Sequence, residues 1–414
     1  MVGPFLPDDE KIPALREALP ATAAGIYLNT GTCGPLPRET AHAMAEAEAW
    51  ELRTGRADRN YWEDSLERKA EARAAVAAVL GCGPKQIALT HATTEGMNIA
   101  TSAVDWREGD RVVTTSLEHP GLLAPLRVLR DRRGVDLAIA DIGTGGDTAA
   151  VLAALDRAIV PGTRLVALSH VMWATGARLP IAEIVALAHG RGALVAVDGA
   201  QGAGAMHLSV EELGVDFYAI PSQKWLLGPD GIGALYCAES VMDRPRLAFA
   251  GWASFESMDL AAEGQLWPDA RRFEIAGFHQ PSVLGFARSA AWLSMYVGLP
   301  WIYERIARLA GEAAAMLAEV PGVEVLTPSG GQSGLVTFRI AGWTAPAAIR
   351  ELEQRTLCIA RTIPPLDAIR ISVGFFNTEA ELRRFRDGVA LVAENTPETI
   401  PHRPRIEVLR GGVD

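Results

Sequence analysis

The chain has 414 residues, 49% hydrophobic and 21% charged, with a formal charge of −11. That acidic balance excludes nucleic acid and anionic membrane as main partners, because both recruit basic surfaces. The length exceeds what one ordinary core organises and suits a large domain with a smaller one beside it.

No apolar run reaches the roughly 20 residues that span a bilayer. The start, MVGPFLPDDEKIP, lacks the basic flank and apolar centre of a secretory signal. Cys33, Cys82, Cys237 and Cys358 show no C-x-x-C spacing. A disulfide framework or a zinc site is therefore not expected, and a reducing cytoplasm is.

In chain order, Glu39–Arg53 and Trp62–Leu80 have the apolar spacing of amphipathic helices. From about Ile87 to Tyr236 short apolar runs then alternate with helical patterns. The runs are Ile87–Thr90, Arg111–Thr115, Asp136–Ala140, Arg164–Ser169, Ala193–Val197, Phe217–Ile220 and Gly233–Tyr236. Thr148–Ile159 and Ile181–His189 are two of the helices between them. This alternation predicts an α/β fold with a mostly parallel seven-stranded sheet covered on both faces. Downstream, Ser282–Leu317 reads as one long helical stretch. Strands are expected at Gly334–Ile340, Cys358–Arg361 and Ala368–Val373, with helices at Ala345–Gln354 and Glu379–Glu394. Together these predict a small α+β domain. The proline- and arginine-rich tail, Pro397–Asp414, is expected on the surface.

Ligands of parallel sheets gather beyond the carboxyl ends of the strands. The residues after successive strands are His91-Ala-Thr-Thr-Glu-Gly, Glu118-His-Pro-Gly, His170-Val-Met-Trp, Asp198-Gly-Ala-Gln and Ser222-Gln-Lys-Trp. Five polar stretches in succession form a site hypothesis. Asp198 and Lys224 are the sharpest pair. A lysine desolvated at such an edge has a lowered pKa and can form a Schiff base. A carboxylate nearby keeps a pyridine nitrogen protonated. A plain Asp–Lys salt bridge is the competing reading of these two residues alone. The glycine-rich stretches at Gly143 and Gly199 lack the G-x-G-x-x-G register of a dinucleotide loop.

The blocks VDGAQGAGAMHL and VDFYAIPSQKWLLGPDGIG resemble the cofactor-lysine region of class V aminotransferases. That family includes cysteine desulfurases, selenocysteine lyases, isopenicillin-N epimerases and cysteine/cystine C–S lyases. The resemblance continues through ATTEGMN, DWREGDRVVTTSLEHPG, LSHVMWATG, RRFE and IRISVGFFNT, in order from about Tyr27 to Val392. It implies a fold type I enzyme with pyridoxal 5'-phosphate on Lys224 and Asp198 at the ring nitrogen. It also implies phosphate contacts from Thr93, Thr94 and Ser222, His119 against the ring, and Gln201 at the phenolic oxygen. Arg370 matches the arginine that clamps the substrate α-carboxylate. Arg361 binds the same carboxylate, a second one, or serves as a surface or salt-bridging arginine. A small amino-acid substrate and a homodimer follow from the same resemblance. Trp252 and His279 either reach a partner's site or pack within the chain. The expected division is an N-terminal segment packing on the small domain (residues 1–38), a large cofactor domain (39–285) and a small C-terminal domain (286–414).

Several positions depart from the family pattern. Gln223 precedes the lysine where better-known relatives carry histidine; it can hydrogen-bond phosphate or substrate but cannot shuttle protons near neutral pH. Gly277 stands where relatives often have a hydroxyl residue that reaches the partner's phosphate. Trp173 replaces a polar residue near the cofactor, and belongs to the expected substrate pocket. Desulfurases need a nucleophilic cysteine on the loop after Ala360-Arg-Thr, but here that loop is Ile363-Pro-Pro-Leu-Asp. Cys358 precedes it in an apparent strand and is expected to be buried packing. The expected reaction is therefore β-elimination by a C–S lyase on cysteine, cystine or an S-substituted cysteine. Its products are pyruvate, ammonia and a sulfur product, with Lys224, once freed, as general base. Transamination or epimerisation on the same scaffold is the alternative.

Overall fold

The computed structural model describes residues 6–57, 59–242, 247, 249–330 and 333–401. The expected surface tail, Pro397–Asp414, therefore lies largely outside the described residues. The large sheet is built from β1 (Ile87–Thr90), β2 (Arg111–Thr115), β3 (Asp136–Ala140), β4 (Thr163–Ser169), β5 (Leu194–Asp198), β6 (Phe217–Pro221) and β7 (Gly233–Cys237). Their spatial order is β1-β7-β6-β5-β4-β2-β3. Only β7 runs against its neighbours; the other pairs are parallel. The central strands are apolar along their whole length because both faces are covered. Val195 and Val197 enter one core while Ala196 enters the other. Strand β3, at the edge, is the most exposed of the seven.

A second, antiparallel sheet contains β8 (Val323–Val325), β9 (Leu335–Ile340), β10 (Arg361–Ile363) and β11 (Ala368–Ser372), in the order β8-β9-β11-β10. It packs its own core against helices Leu299–Ala318, Ala345–Thr356 and Glu379–Ala393. The N-terminal segment touches both cores. Leu15 and Leu19 join the large one, whereas Ile26 and Leu28 join the small one. Ile26–Tyr27 pairs in parallel with Cys358–Ile359, and the Ser372 N–H donates to Leu28 O at 2.7 Å. This tether carries the next residues, Gly31 and Thr32, to the edge of the large sheet.

Two expectations need correction. Ser282–Leu317 is not one helix. Helix Gln280–Ala291 widens into a π turn over Trp292–Val297, and a break at Gly298 (φ +93°) separates it from Leu299–Ala318. Glycine supplies the positive φ, and Pro300 sits in the first turn of the new helix, where its missing N–H costs nothing. Cys358–Arg361 is likewise two strands, divided at Ala360, because its halves pair with different partners. Among the further elements that escape the periodicity are helix Asp8–Ala18, which contains Pro13, the three-residue β8 and the hairpin Phe255–Met258/Gly264–Leu266. Among the described residues no helix is long and apolar enough to cross a membrane.

Candidate active site

The carboxyl ends of β1, β2, β4, β5 and β6 share one edge, and a cavity lies over it. Thr93, Thr94, His119, Trp173, Asp198, Gln201, Gln223, Lys224, Arg361 and Arg370 all line this cavity. Ser222 is beside it in the chain, with a buried Oγ that has no partner among the described residues. Gly31 and Thr32 also line the cavity and had no place in the sequence-based expectation. Their signal is the small-residue run Asn29-Thr-Gly-Thr-Cys-Gly, which only a close backbone approach explains. A Cβ on Gly31 would lie 2.8 Å from Leu335 Cδ2 and Ser372 Oγ.

Asp198 is the last residue of β5 and is buried, not half-buried as its place at a strand end suggests. Its Oδ1 accepts from Ala200 N at 3.0 Å. The turn that follows lies flat on the Tyr218 ring: a Cβ on Gly199 would come within 1.9 Å of Tyr218 Cε1. Tyr218 is fixed in turn by the buried His170, whose Nδ1 is 2.9 Å from the hydroxyl. Gln201 Nε2 donates to Gly31 O at 2.8 Å, and its Oε1 accepts from Trp225 Nε1 at 2.8 Å. One amide hydrogen of Gln201 stays available to the cavity.

Lys224 follows β6 in a loop braced by the Gly228 N–H on Ser222 O at 3.0 Å. Burial lowers its amine from the ordinary value of 10.5 to about 8. Asp198 opposes that shift, while the guanidinium groups of Arg370 and Arg361 add to it. His119 caps helix Pro120–Arg133: its Nδ1 accepts from Gly121 N at 3.0 Å, which puts the neutral ring's proton on Nε2. Its ring meets Trp173 edge-on at 5.3 Å. Burial, and then Lys224, hold the imidazole below its usual pKa.

Arg361 and Arg370 face each other across β10 and β11 as a cross-strand pair. Arg370 is 1% exposed. It donates to Trp173 O at 2.7 Å and, weakly, to Thr32 Oγ1 at 3.5 Å. Arg361 reaches the same hydroxyl at 3.3 Å and sits over the Trp173 ring at 5.8 Å. Burial, reinforced by Arg361, lowers Arg370 to about 9, and no described carboxylate offsets it. Two guanidinium groups share one neutral hydroxyl, an arrangement suited to binding an anion.

Trp252 is 61% exposed and meets Trp62 edge-on, so buried packing does not describe it. His279 is exposed as well. Cys358 is buried, and burial pushes its thiol up to about 11. No cluster of metal-binding side chains occurs among the described residues.

The model of the family "Aminotransferase class-V" matches residues 26–385. A probable cysteine desulfurase of Methanothermobacter thermautotrophicus is 27% identical, over 89% of this chain and 95% of that protein. The isopenicillin N epimerase of Streptomyces clavuligerus is 30% identical, again over 89% and 95%. The cystine C–S lyase C-DES, solved with its product cysteine persulfide, superposes with a TM-score of 0.85 at 28% identity, over 90% of this chain and 99% of that one. A C-DES variant with glycine covalently linked to its pyridoxal-phosphate cofactor gives 0.86 at 28% identity, over 91% and 98%. With a family match spanning most of its length, the chain belongs to the class V aminotransferases and is a pyridoxal-phosphate-dependent enzyme.

Proposed function

We propose that this enzyme is a C–S lyase that eliminates a sulfur group from Cβ of cysteine, cystine or an S-substituted cysteine. The observation that carries the reading is the cavity itself: a lysine of lowered pKa, a buried carboxylate and a cross-strand arginine pair line it together. The cavity suits pyridoxal phosphate on its own terms. The hydroxyl of Thr93 is buried and unpartnered, at the first turn of helix Thr93–Ser102, whose N–H groups have no carbonyl to reach inside the helix. Thr93, Thr94 and Ser222 would hold the phosphate, Asp198 the ring nitrogen, and Gln201 the phenolic oxygen. His119 would cover the ring face, with Gln223 beside the phosphate.

When bound, the cofactor supplies an electron sink that makes the substrate Cα–H acidic. Arg370 binds the α-carboxylate through its planar fork, and Arg361 completes the anionic subsite. Lys224 Nζ removes the Cα proton, for which an amine poised near pH 8 is well matched. Trp173 and His119 exclude water from one side. The sulfur group then leaves, and the unsaturated product hydrolyses to pyruvate and ammonia. A persulfide route through the protein is disfavoured. The loop after Arg361 is a tight turn at Pro364–Leu366 without cysteine. Neither thiol is activated: Cys358 is raised by burial, and Cys33, though exposed, is also held above its ordinary value, by desolvation first and in part by Asp230.

The test is the visible absorbance of the purified protein with added L-cystine and a pyruvate assay. A visible band with stoichiometric pyruvate is the expected result. A band without pyruvate, accompanied by loss of substrate optical rotation, would move the assignment to an amino-acid epimerase, which the 30% identity to isopenicillin N epimerase favours as the second reading.

A homodimer is part of the same proposal. Trp252, Trp62 and Leu66 leave an exposed apolar patch, and a Cβ on Gly277 would meet only open space. Sedimentation equilibrium should return twice the chain mass of 44.2 kDa; a single-chain mass would refute the dimer.

A further inference from the structure

Glu118 directly precedes His119 and has no role in the chemistry above. Its side chain is buried. Its Oε1 accepts from Thr115 Oγ1 at 2.5 Å and from Ser169 N at 3.0 Å, and its Oε2 contacts Ser169 Oγ. All three bonds are to neutral groups. Burial raises its pKa to about 7; the hydrogen bonds oppose that, and Asp198 adds to it.

The place of these bonds in the sheet matters more than their number. The β2–β4 ladder ends at Val113↔Val166. Thr115 and Ser169, the last residues of the two strands, lie beyond that pair. The Glu118 carboxyl joins them, Thr115 at the end of β2 to Ser169 at the end of β4. Ser169 is in turn the cross-strand partner of Asp198, and the His170 N–H donates to Asp198 O at 3.0 Å. A continuous path therefore runs from the backbone that bears His119 to the strand that bears Asp198.

We propose that Glu118 is a positioning residue: its carboxyl ties the ends of β2 and β4 together and so sets the spacing between the His119 imidazole and the Asp198 carboxylate. This rests on the assignment of those two groups to the cofactor. Glutamine keeps the acceptor shared by Thr115 and Ser169 and offers an N–H to Ser169 Oγ. Leucine, of similar size, leaves three buried polar groups unpaired.

The experiment compares wild-type, Glu118→Gln and Glu118→Leu holoenzymes by cofactor dissociation constant and by visible circular dichroism of the bound cofactor. Thermal unfolding serves as the fold control. Glu118→Gln should stay within about twofold of wild type, with an unchanged dichroic band. Glu118→Leu should release the cofactor about tenfold more readily, with a diminished or inverted band. Should Glu118→Leu fail to fold, Ser169→Ala removes the Oγ contact alone and should alter the band in the same sense. A wild-type band and affinity in Glu118→Leu, or in Ser169→Ala where that variant decides, overturn the proposal. So does a Glu118→Gln enzyme as impaired as Glu118→Leu. A wild-type protein that binds no pyridoxal phosphate would instead overturn the site assignment, and this proposal with it.

Discussion

Lys224→Ala is expected to reduce turnover by roughly 10⁴-fold or more while leaving the fold intact, because one amine serves as cofactor anchor and as base. Lys224→Arg should not restore activity, since a guanidinium is neither nucleophilic nor deprotonated in water. Stability should change little, because the lysine lies in a desolvating cavity where its charge is a burden. The pH dependence gives a second check. Cofactor capture needs the neutral amine. With the amine lowered to about 8, its neutral fraction should fall about tenfold per pH unit below that point and level off above it. The rate of pyridoxal-phosphate uptake by the cofactor-free protein should therefore rise with pH and flatten above about 8. An uptake rate still climbing toward the ordinary lysine value of 10.5 would show that the cavity does not desolvate Lys224. Full activity in Lys224→Ala would remove the lysine from the mechanism altogether.

The parts of the molecule that are legible in its sequence are those where burial is uniform. Helix Ile181–His189 appears at the bounds its apolar spacing suggests, and the seven apolar runs are the seven strands of the large sheet. The parallel-sheet rule then leads to the strand ends, where His119, Asp198 and Lys224 gather. What escapes is set by tertiary contact. Thr32 belongs to the cavity only because Ile26–Tyr27 pairs with Cys358–Ile359 more than three hundred residues away, and periodicity carries no sign of such a pairing. The break at Gly298 was signalled by Gly-Leu-Pro, but continuous apolar spacing on either side conceals it. Glu118 reads as an ordinary loop acid until its bonds to Thr115 and Ser169 are seen. The resemblance to a family reaches the residues of the chemistry sooner than it reaches these supports.

Arg370→Met should separate the demands of function from those of stability. A buried cation without a carboxylate partner disfavours the folded state. Arg370 is in that condition, with its Nε lacking any partner among the described residues. Methionine fills much of the same volume without a charge. Its cost is the carbonyl of Trp173, which loses a 2.7 Å bond, about 1 kcal/mol. The net expectation is a gain of about 1–2 kcal/mol, visible as a higher midpoint of thermal unfolding. Catalysis should move the other way, with kcat/KM falling by about 10²–10³-fold through the lost bidentate grip on the carboxylate. Arg370→Lys should recover only part of that loss, because a point charge cannot reproduce the fork. Ligand linkage ties the two effects together. At about 100 times its Kd, a substrate-like amino acid should stabilise the wild-type protein by about 2.7 kcal/mol, whereas Arg370→Met at that concentration should show almost none. A variant that is both less stable and fully active would mean that Arg370 is a structural arginine, and the anion would have to be sought at Arg361 alone.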